Sequence, residues 1–408
     1  MPDFHQPILL PTLHHLAETK LEEREALLKR LSADRPIALI IPALYAELER
    51  KALPRMLKQL AKVNYLSEIV FSMNGMSEPQ YEKARKVIAK SLAGTTHTIL
   101  WNDGPQLGAL HNTLDTALGQ QHLPGKGSNV WMGVAYLLSK GHQGVIACHD
   151  SDIINYDRDM LWRLCLPVAS PEMDYAFAKS YYGRVRERMY GRVTRLLVFP
   201  LIQALREVFG STPLLRFLAM CRYPLSGEFA ADTDFLSKLG LSSDWGLEIG
   251  MLCDVFRQAP SQRMCQVDLG GNFEHKHQHL GYDPATGYSD SSSGLTRMAR
   301  EVTCTLLGHL WSDLGFSAEA RKLERLADTY YDTAQTLVTR YSHEALFNGL
   351  EEISDDEKLT VTVFAEIIRQ AAAQCQEAPP EITSLPSWQE TVRVIPDFGA
   401  QLQKAITP

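Results

Sequence analysis

The stretch Val145–Asp157, VIACHDSDIINYD, runs apolar from Val145 to Cys148 and then sets two carboxylates, Asp150 and Asp152, one residue apart. A short apolar run that ends in a polar loop reads as a buried strand, and like charges at that spacing call for a positive partner. Outward from this stretch the chain alternates short strands with helices. Ile37–Ile41, Glu68–Ser72, Thr96–Trp101 and Gly144–His149 read as strands, with helices over 46–62 and Asn129–Lys140 between them. Apolar spacing at Leu16, Leu21, Leu27, Leu28 and Leu31 predicts a helix over 13–32. Strands that alternate with helices make an α/β fold with a mainly parallel sheet. Ligands of such sheets collect at the carboxyl ends of the strands, so Pro42, Asn74 and Asp150 are expected in one crevice. Near 285–295 the texture changes. Ser289–Gly294, SDSSSG, reads as a hinge, and a helical region follows. There Ser354 and Glu357 have the spacing of a capping box.

Composition narrows the function classes. The chain has 408 residues, 45% hydrophobic and 22% charged, the make-up of a soluble globular protein. Its net charge of −7 argues against a broad nucleic-acid footprint. Seven scattered cysteines without a CxxC pair favour reduced thiols and the cytoplasm. No apolar run approaches the roughly 20 residues that cross a bilayer, and the first fifteen residues do not read as a secretory leader.

Side chains two apart on extended backbone point the same way. If the chain stays extended past Cys148, Asp150 and Asp152 project together, and a hard divalent cation such as Mg²⁺ or Mn²⁺ relieves their repulsion. The competing reading is a solvated turn, with Asp157 capping the next helix. Pro124-Gly-Lys-Gly127 precedes a helix, where glycines allow close backbone approach and Lys126 suits an anionic phosphate. His275, His277 and His279 alternate and would share one face of a strand. Arg184, Arg186, Arg188, Arg192 and Arg195 fall within twelve residues, offset only by Glu187. Guanidinium groups suit phosphate or carboxylate, and the plainer alternative is an exposed basic helix face.

Taken in order, several segments resemble the glucosyl-3-phosphoglycerate synthases, retaining glycosyltransferases of the GT-A (Rossmann-like) nucleotide-sugar fold, and more distantly the mannosylglycerate synthases. The matching segments are IPAL (41–44), PGKG (124–127) with Trp131 downstream, DSDIIN (150–155), KSYY (179–182), GRVT (191–194), YPLSGEFA (223–230), WGLEIGMLCD (245–254) and QVDLG (266–270) followed by His275. The resemblance implies three regions: an N-terminal helical extension (1–35), a GT-A domain (36–288) and a helical C-terminal region (289–408).

It also implies residue roles. Pro42, Ala43 and Leu44 border the nucleoside, while Lys126, Asp150 and Ser151 serve the diphosphate of the donor. Asp150, Asp152 and His275 are the metal ligands. Leu225, Ser226 and Gly227 crowd the reacting centre, and Glu248 contacts sugar hydroxyls. Gly191, Arg192, Val193 and Thr194 hold the acceptor, with His277 where the family carries an Asn. The implied donor is UDP-glucose, with a GDP-sugar as the alternative. The implied acceptor is 3-phosphoglycerate, with glycerate or another small hydroxy acid as the alternative. A homodimer built through the helical tail is expected. The chain departs from the pattern at Tyr45-Ala46, at Ser72-Met-Asn-Gly75, and by one residue inserted before His275. Two other functions use similar parts: a nucleotidyltransferase, which would release pyrophosphate, and a nucleotide-sugar sensor whose helical tail binds a partner.

Overall fold

The segment IALIIPAL forms a strand, Ile37–Leu44, in which every residue but Leu44 is buried. Burial on both faces marks a strand interior to a parallel sheet, with helices on both sides. In the computed structural model, residues 6, 9–119, 125–259, 261–275, 279–283, 288–289, 293–314, 320–378, 380, 382 and 384–406 are described. The strands are β1 (Thr12–Leu13), β2 (Ile37–Leu44), β3 (Leu66–Asn74), β4 (His97–Trp101), β5 (Val145–Cys148), β6 (Phe177–Tyr181), β7 (Phe229–Asp232), β8 (Leu241–Ser242) and β9 (Met264–Asp268). Eight of them make one sheet in the order β1-β9-β6-β7-β5-β2-β3-β4. Every pairing is parallel except those of β7, which runs antiparallel to both β5 and β6.

The period-2 alternation of the strands sorts side chains into two layers. Ala38, Ile40, Ile146 and Cys148 pack with the helix Lys126–Ser139 on one face. Ile37, Leu39, Ile41, Val145 and Ala147 pack with the helices Ala52–Leu60 and Arg158–Ala169 on the other. The first layer continues without a break into the C-terminal helices Gly294–Leu314, Ala320–Asn348 and Ser354–Glu377, through Leu306, Leu310, Leu326, Tyr330, Phe364 and Ile368. The chain then returns to the sheet. Ser384–Leu385 pairs antiparallel with β8, and the Pro386 carbonyl accepts from Trp131 Nε1 at 2.7 Å.

Several local expectations are corrected. The N-terminal helix spans Leu21–Leu31, not 13–32. Thr12–Leu13 instead pairs with β9, and Leu16 is exposed. The segment 46–62 splits into a tight turn of helix, Tyr45–Glu49, and the helix Ala52–Leu60. Ser354 and Glu357 make no capping box, because the cap position is Ile353 and the Glu357 carboxylate is taken by Arg195 at 2.5 Å. Asp157 does cap the following helix, accepting from the Asp159 N–H at 2.9 Å. Of the SDSSSG segment, residues 290–292 lie outside the described residues.

Candidate active site

Within the eight-stranded sheet, the antiparallel strand β7 decides where the site is. Cys148 at the end of β5 lies opposite Phe229 at the start of β7, and Phe229 lies opposite Lys179 of β6. The chain therefore leaves the sheet at Asp150 where it enters at Glu228. A Cβ on Gly227 would lie 2.3 Å from Asp150 Oδ2, so only glycine fits beneath that carboxylate. The amino end of the helix Lys126–Ser139 is wedged against residues 242–243. A Cβ on Gly125 would meet the Ser243 carbonyl oxygen at 2.5 Å, and one on Gly127 the Ser242 oxygen at 1.7 Å.

This wedge aims Lys126. Its Nζ donates to Asp150 Oδ2 at 2.9 Å and to Glu248 Oε1 at 2.7 Å. Burial opposes the ammonium charge, yet Asp150 and Glu248 outweigh it and hold the Lys126 pKa well above the usual value. Burial likewise opposes ionisation of Asp150, and Lys126 reverses it, so the carboxyl titrates below the ordinary range. Beneath them Glu228 is fully buried, and burial together with the Asp150 charge pushes its pKa up to about 8. Burial lowers the pKa of Lys179, whose Nζ donates to the Ser226 carbonyl.

Asp152 faces a different partner. The loop after β9 is tied to the DSDIIN segment by Ile154 N–H to the Glu274 carbonyl at 2.8 Å and by Glu274 N–H to Asn155 Oδ1 at 3.1 Å. Those bonds set His275 Nδ1 3.6 Å from Asp152 Oδ1. Ligand atoms of Asp150, Asp152 and His275 all fall within 4.8 Å of one another. Two carboxylates and an imidazole are a donor set for a divalent cation of the Mn²⁺ type. His275 Nε2 and Glu228 Oε1 are buried without a hydrogen-bond partner and lie 3.9 Å apart, so the floor of the site is under-satisfied, as a pocket built for a cation would be. Burial lowers the His275 pKa and keeps the ring neutral, the form that can ligate.

The cluster opens into a cleft of about 710 Å³. Pro42, Ala43, Leu44, Asn74, Lys126, Asp150, Ser151 and Asp152 line it, so the strand-end residues do share one crevice. Leu225, Glu248 and His275 line the same cleft, as do Arg184, Arg188, Gly191, Arg192, Val193 and Thr194. Ser226 and Gly227 are not on the wall. Ser226 is buried under it, with its Oγ bonded to the Ser180 carbonyl at 2.7 Å. His277 and Pro124 lie outside the described residues.

Three local pictures change. The backbone turns at Ser151 and Asp152 rather than staying extended, so the two acids are held by different neighbours: Lys126 takes Asp150, and His275 stands beside Asp152. His275 and His279 lie in loop, not on a strand, because the ladder of β9 ends at Asp268. The arginines are no exposed helix face. Arg186 pairs with Glu274 at 2.5 Å, Arg195 is buried against Glu357, and Arg184, Arg188 and Arg192 reach the cleft. Glu228 and Lys179 were given no role from the sequence. The signal was there: each is a charge inside an apolar run, GEFAA and AFAKSYY.

Comparison with known proteins follows the same pattern, although no protein-family model matches the chain. The chain is 34% identical to the glucosyl-3-phosphoglycerate synthase of Persephonella marina, over 100% of this chain and 98% of that one. It is 32% identical to the enzyme of that name from Methanococcoides burtonii, over 99% of this chain and 97% of the relative. The crystal structure of Mycobacterium tuberculosis glucosyl-3-phosphoglycerate synthase with Mn²⁺, UDP-glucose and phosphoglyceric acid superimposes with a TM-score of 0.50 at 25% identity, over 74% of this chain and 87% of that one. A second structure of that protein, with Mn²⁺, UDP and glucosyl-3-phosphoglycerate, gives the same values. Likeness sustained from one end of the chain to the other, on a parallel sheet whose edge gathers two aspartates and a histidine, makes this chain a member of the glucosyl-3-phosphoglycerate synthase family.

Proposed function

We propose that the protein is a metal-dependent glucosyltransferase that moves glucose from UDP-glucose to the hydroxyl of 3-phosphoglycerate. The observation that carries this reading is the convergence of Asp150, Asp152 and His275 in a cleft that Arg184, Arg188 and Arg192 also line. A cation-ready cluster suits a diphosphate, and guanidinium groups suit a small phosphorylated acid. A divalent cation held by Asp150, Asp152 and His275 supplies Lewis acidity, stabilising negative charge on the departing nucleoside diphosphate. Pro42, Ala43 and Leu44 border the nucleoside. Lys126 lies within reach of the diphosphate, Glu248 orients the sugar hydroxyls, and Leu225 excludes water from the reacting centre.

Retention of anomeric configuration is part of the proposal. Among the described residues, the cleft carboxylates are engaged: Asp150 and Glu248 by Lys126, Asp152 beside His275, Glu47 by Arg50 and Asp244 by the Gly246 N–H, while Glu228 is buried beneath them. With no carboxylate poised to form a glycosyl ester, the acceptor oxygen bonds to the anomeric carbon on the face the diphosphate leaves. Its proton passes to the leaving phosphate oxygen. Seven cysteines, none of them in a disulfide, support the cytoplasm as the compartment. Leu346 and Phe347, exposed together at the end of the helix Ala320–Asn348, are the apolar surface on which the homodimer reading rests.

A donor-by-acceptor matrix tests the assignment. With Mn²⁺ present, UDP-glucose and 3-phosphoglycerate should turn over at least about tenfold faster than a GDP-sugar or unphosphorylated glycerate, the discrimination expected of one charge-assisted hydrogen bond. Proton NMR of the product should give the anomeric coupling of retained configuration. Turnover confined to glycerate, or an inverted product, would overturn the acceptor or the stereochemical assignment respectively. The acceptor site has its own check. Arg192→Ala should raise the KM for 3-phosphoglycerate by about 10–100-fold while leaving the slower reaction with glycerate nearly unchanged. Equal losses for both acceptors would remove Arg192 from phosphate recognition.

A further inference from the structure

The segment 183–192, which carries the cleft arginines, has little regular structure of its own. Val185 bridges Met189, the Tyr190 N–H donates to the Arg184 carbonyl at 2.8 Å, and Arg184 bridges Asn272 in the loop after β9; side chains from outside the segment add to these bonds. Arg195 contributes from beneath. Its Nε donates to the Tyr190 carbonyl at 2.9 Å and its Nη2 to the Met189 carbonyl at 3.2 Å. Its own N–H donates to the Gly191 carbonyl at 3.0 Å. Met189, Tyr190 and Gly191 line the cleft, whereas Arg195 is buried and does not. At Gly191 the backbone turns through φ +79°, a conformation that favours glycine.

What holds Arg195 comes from the far end of the chain. Its Nη2 donates to Glu357 Oε1 at 2.5 Å, and its guanidinium lies 4.5 Å from the centre of the Tyr341 ring. Glu357 is buried in the first turn of the helix Ser354–Glu377. Just before that helix, the Glu351 N–H donates to the Glu187 carbonyl at 2.7 Å, and Ile353 reaches the cleft wall. A guanidinium is a rigid fork, so fixing one arm with a carboxylate fixes where the others point. We propose that Glu357 is a positioning residue for the acceptor: through Arg195 it sets the 189–191 carbonyls, and hence the direction of Arg192, so that the C-terminal helices complete the acceptor site. This rests on the reading of the cleft arginines as the acceptor site.

Glu357→Gln keeps the size and the hydrogen-bond acceptor while removing the charge, and it should fold where Glu357→Ala leaves an uncompensated buried guanidinium. The expected result is a rise of about tenfold in KM for 3-phosphoglycerate with kcat and the KM for UDP-glucose nearly unchanged, while the melting temperature falls because the buried guanidinium loses its counter-charge. Glu357→Asp, which keeps the charge, should recover part of the lost acceptor affinity. A parallel fall in kcat and donor affinity would make the pair merely structural and overturn the proposal. An unchanged acceptor KM would overturn it as well. Arg192→Ala measured alongside separates the two levels: if it raises the acceptor KM and Glu357→Gln does not, the strap is wrong and the acceptor site stands. If neither variant moves it, the acceptor site itself is misassigned and the strap falls with it.

Discussion

Asp152→Ala should lower turnover by about 10³-fold at saturating Mn²⁺, since several kcal/mol of charge stabilisation on the leaving group goes with the cation. The fold should survive. Asp152 has a side chain 30% exposed and stands 3.6 Å from His275 rather than inside a buried bond, so its removal costs roughly 0–1 kcal/mol of stability. Excess metal should not restore activity, because a ligand has been lost and not merely weakened. Chelation of the wild-type protein should give the same residual rate. Titration calorimetry with Mn²⁺ and UDP would check the cause directly, as metal-dependent heat should disappear in the variant. An Asp152→Ala protein with wild-type turnover would take the cation away from this edge of the sheet.

The second large effect concerns a residue with no side chain. Gly127→Ala adds one methyl group whose carbon would sit 1.7 Å from the Ser242 carbonyl oxygen and 2.8 Å from its carbonyl carbon. No rotamer relieves a Cβ, so the helix Lys126–Ser139 must back away from β8. That movement opens the packing against β2 and β3 and takes Lys126 off Asp150 and Glu248. A loss of about 3 kcal/mol is expected, the upper part of the usual range for overpacking, read as a lower midpoint in urea. Donor affinity should fall with it. Gly108→Ala is the control: Gly108 lies inside the helix Pro105–Leu118 with nothing within 4 Å of an added Cβ. There alanine should gain about 0.5–1 kcal/mol from helix propensity. If Gly127→Ala melted like the wild type, the wedge would not be what holds Lys126.

Both predictions rest on features that the sequence exposed unequally. The strand Val145–Cys148, the two acids after it and the glycines around Lys126 were legible, because strand burial and glycine at a tight approach are written in neighbouring residues. The helical texture beyond Gly294 was legible for the same reason. The polar partners were not. Serine and glutamate at 354 and 357 have the local spacing of a helix cap, and the cap failed because Arg195 offered Glu357 a buried charge, which outweighs one capping bond. The basic cluster suited phosphate or carboxylate, with a solvated helix face as the alternative, and the sequence did not say which arginine does what: its members went to Glu274, to Glu357 and to the cleft.

By itself the amino-acid sequence determined the alternation of strand and helix and the chemical inventory for a cation, a diphosphate and a phosphorylated acid. Only the tertiary structure decided that β7 runs antiparallel and so delivers Glu228 beneath Asp150. It alone placed His275 beside Asp152, Lys126 between Asp150 and Glu248, and the C-terminal helices under the acceptor loop. The reason is that periodicity records which side of an element faces apolar surroundings, a property of neighbouring residues. Which charge meets which depends on strand order and direction, set when distant segments close on one another.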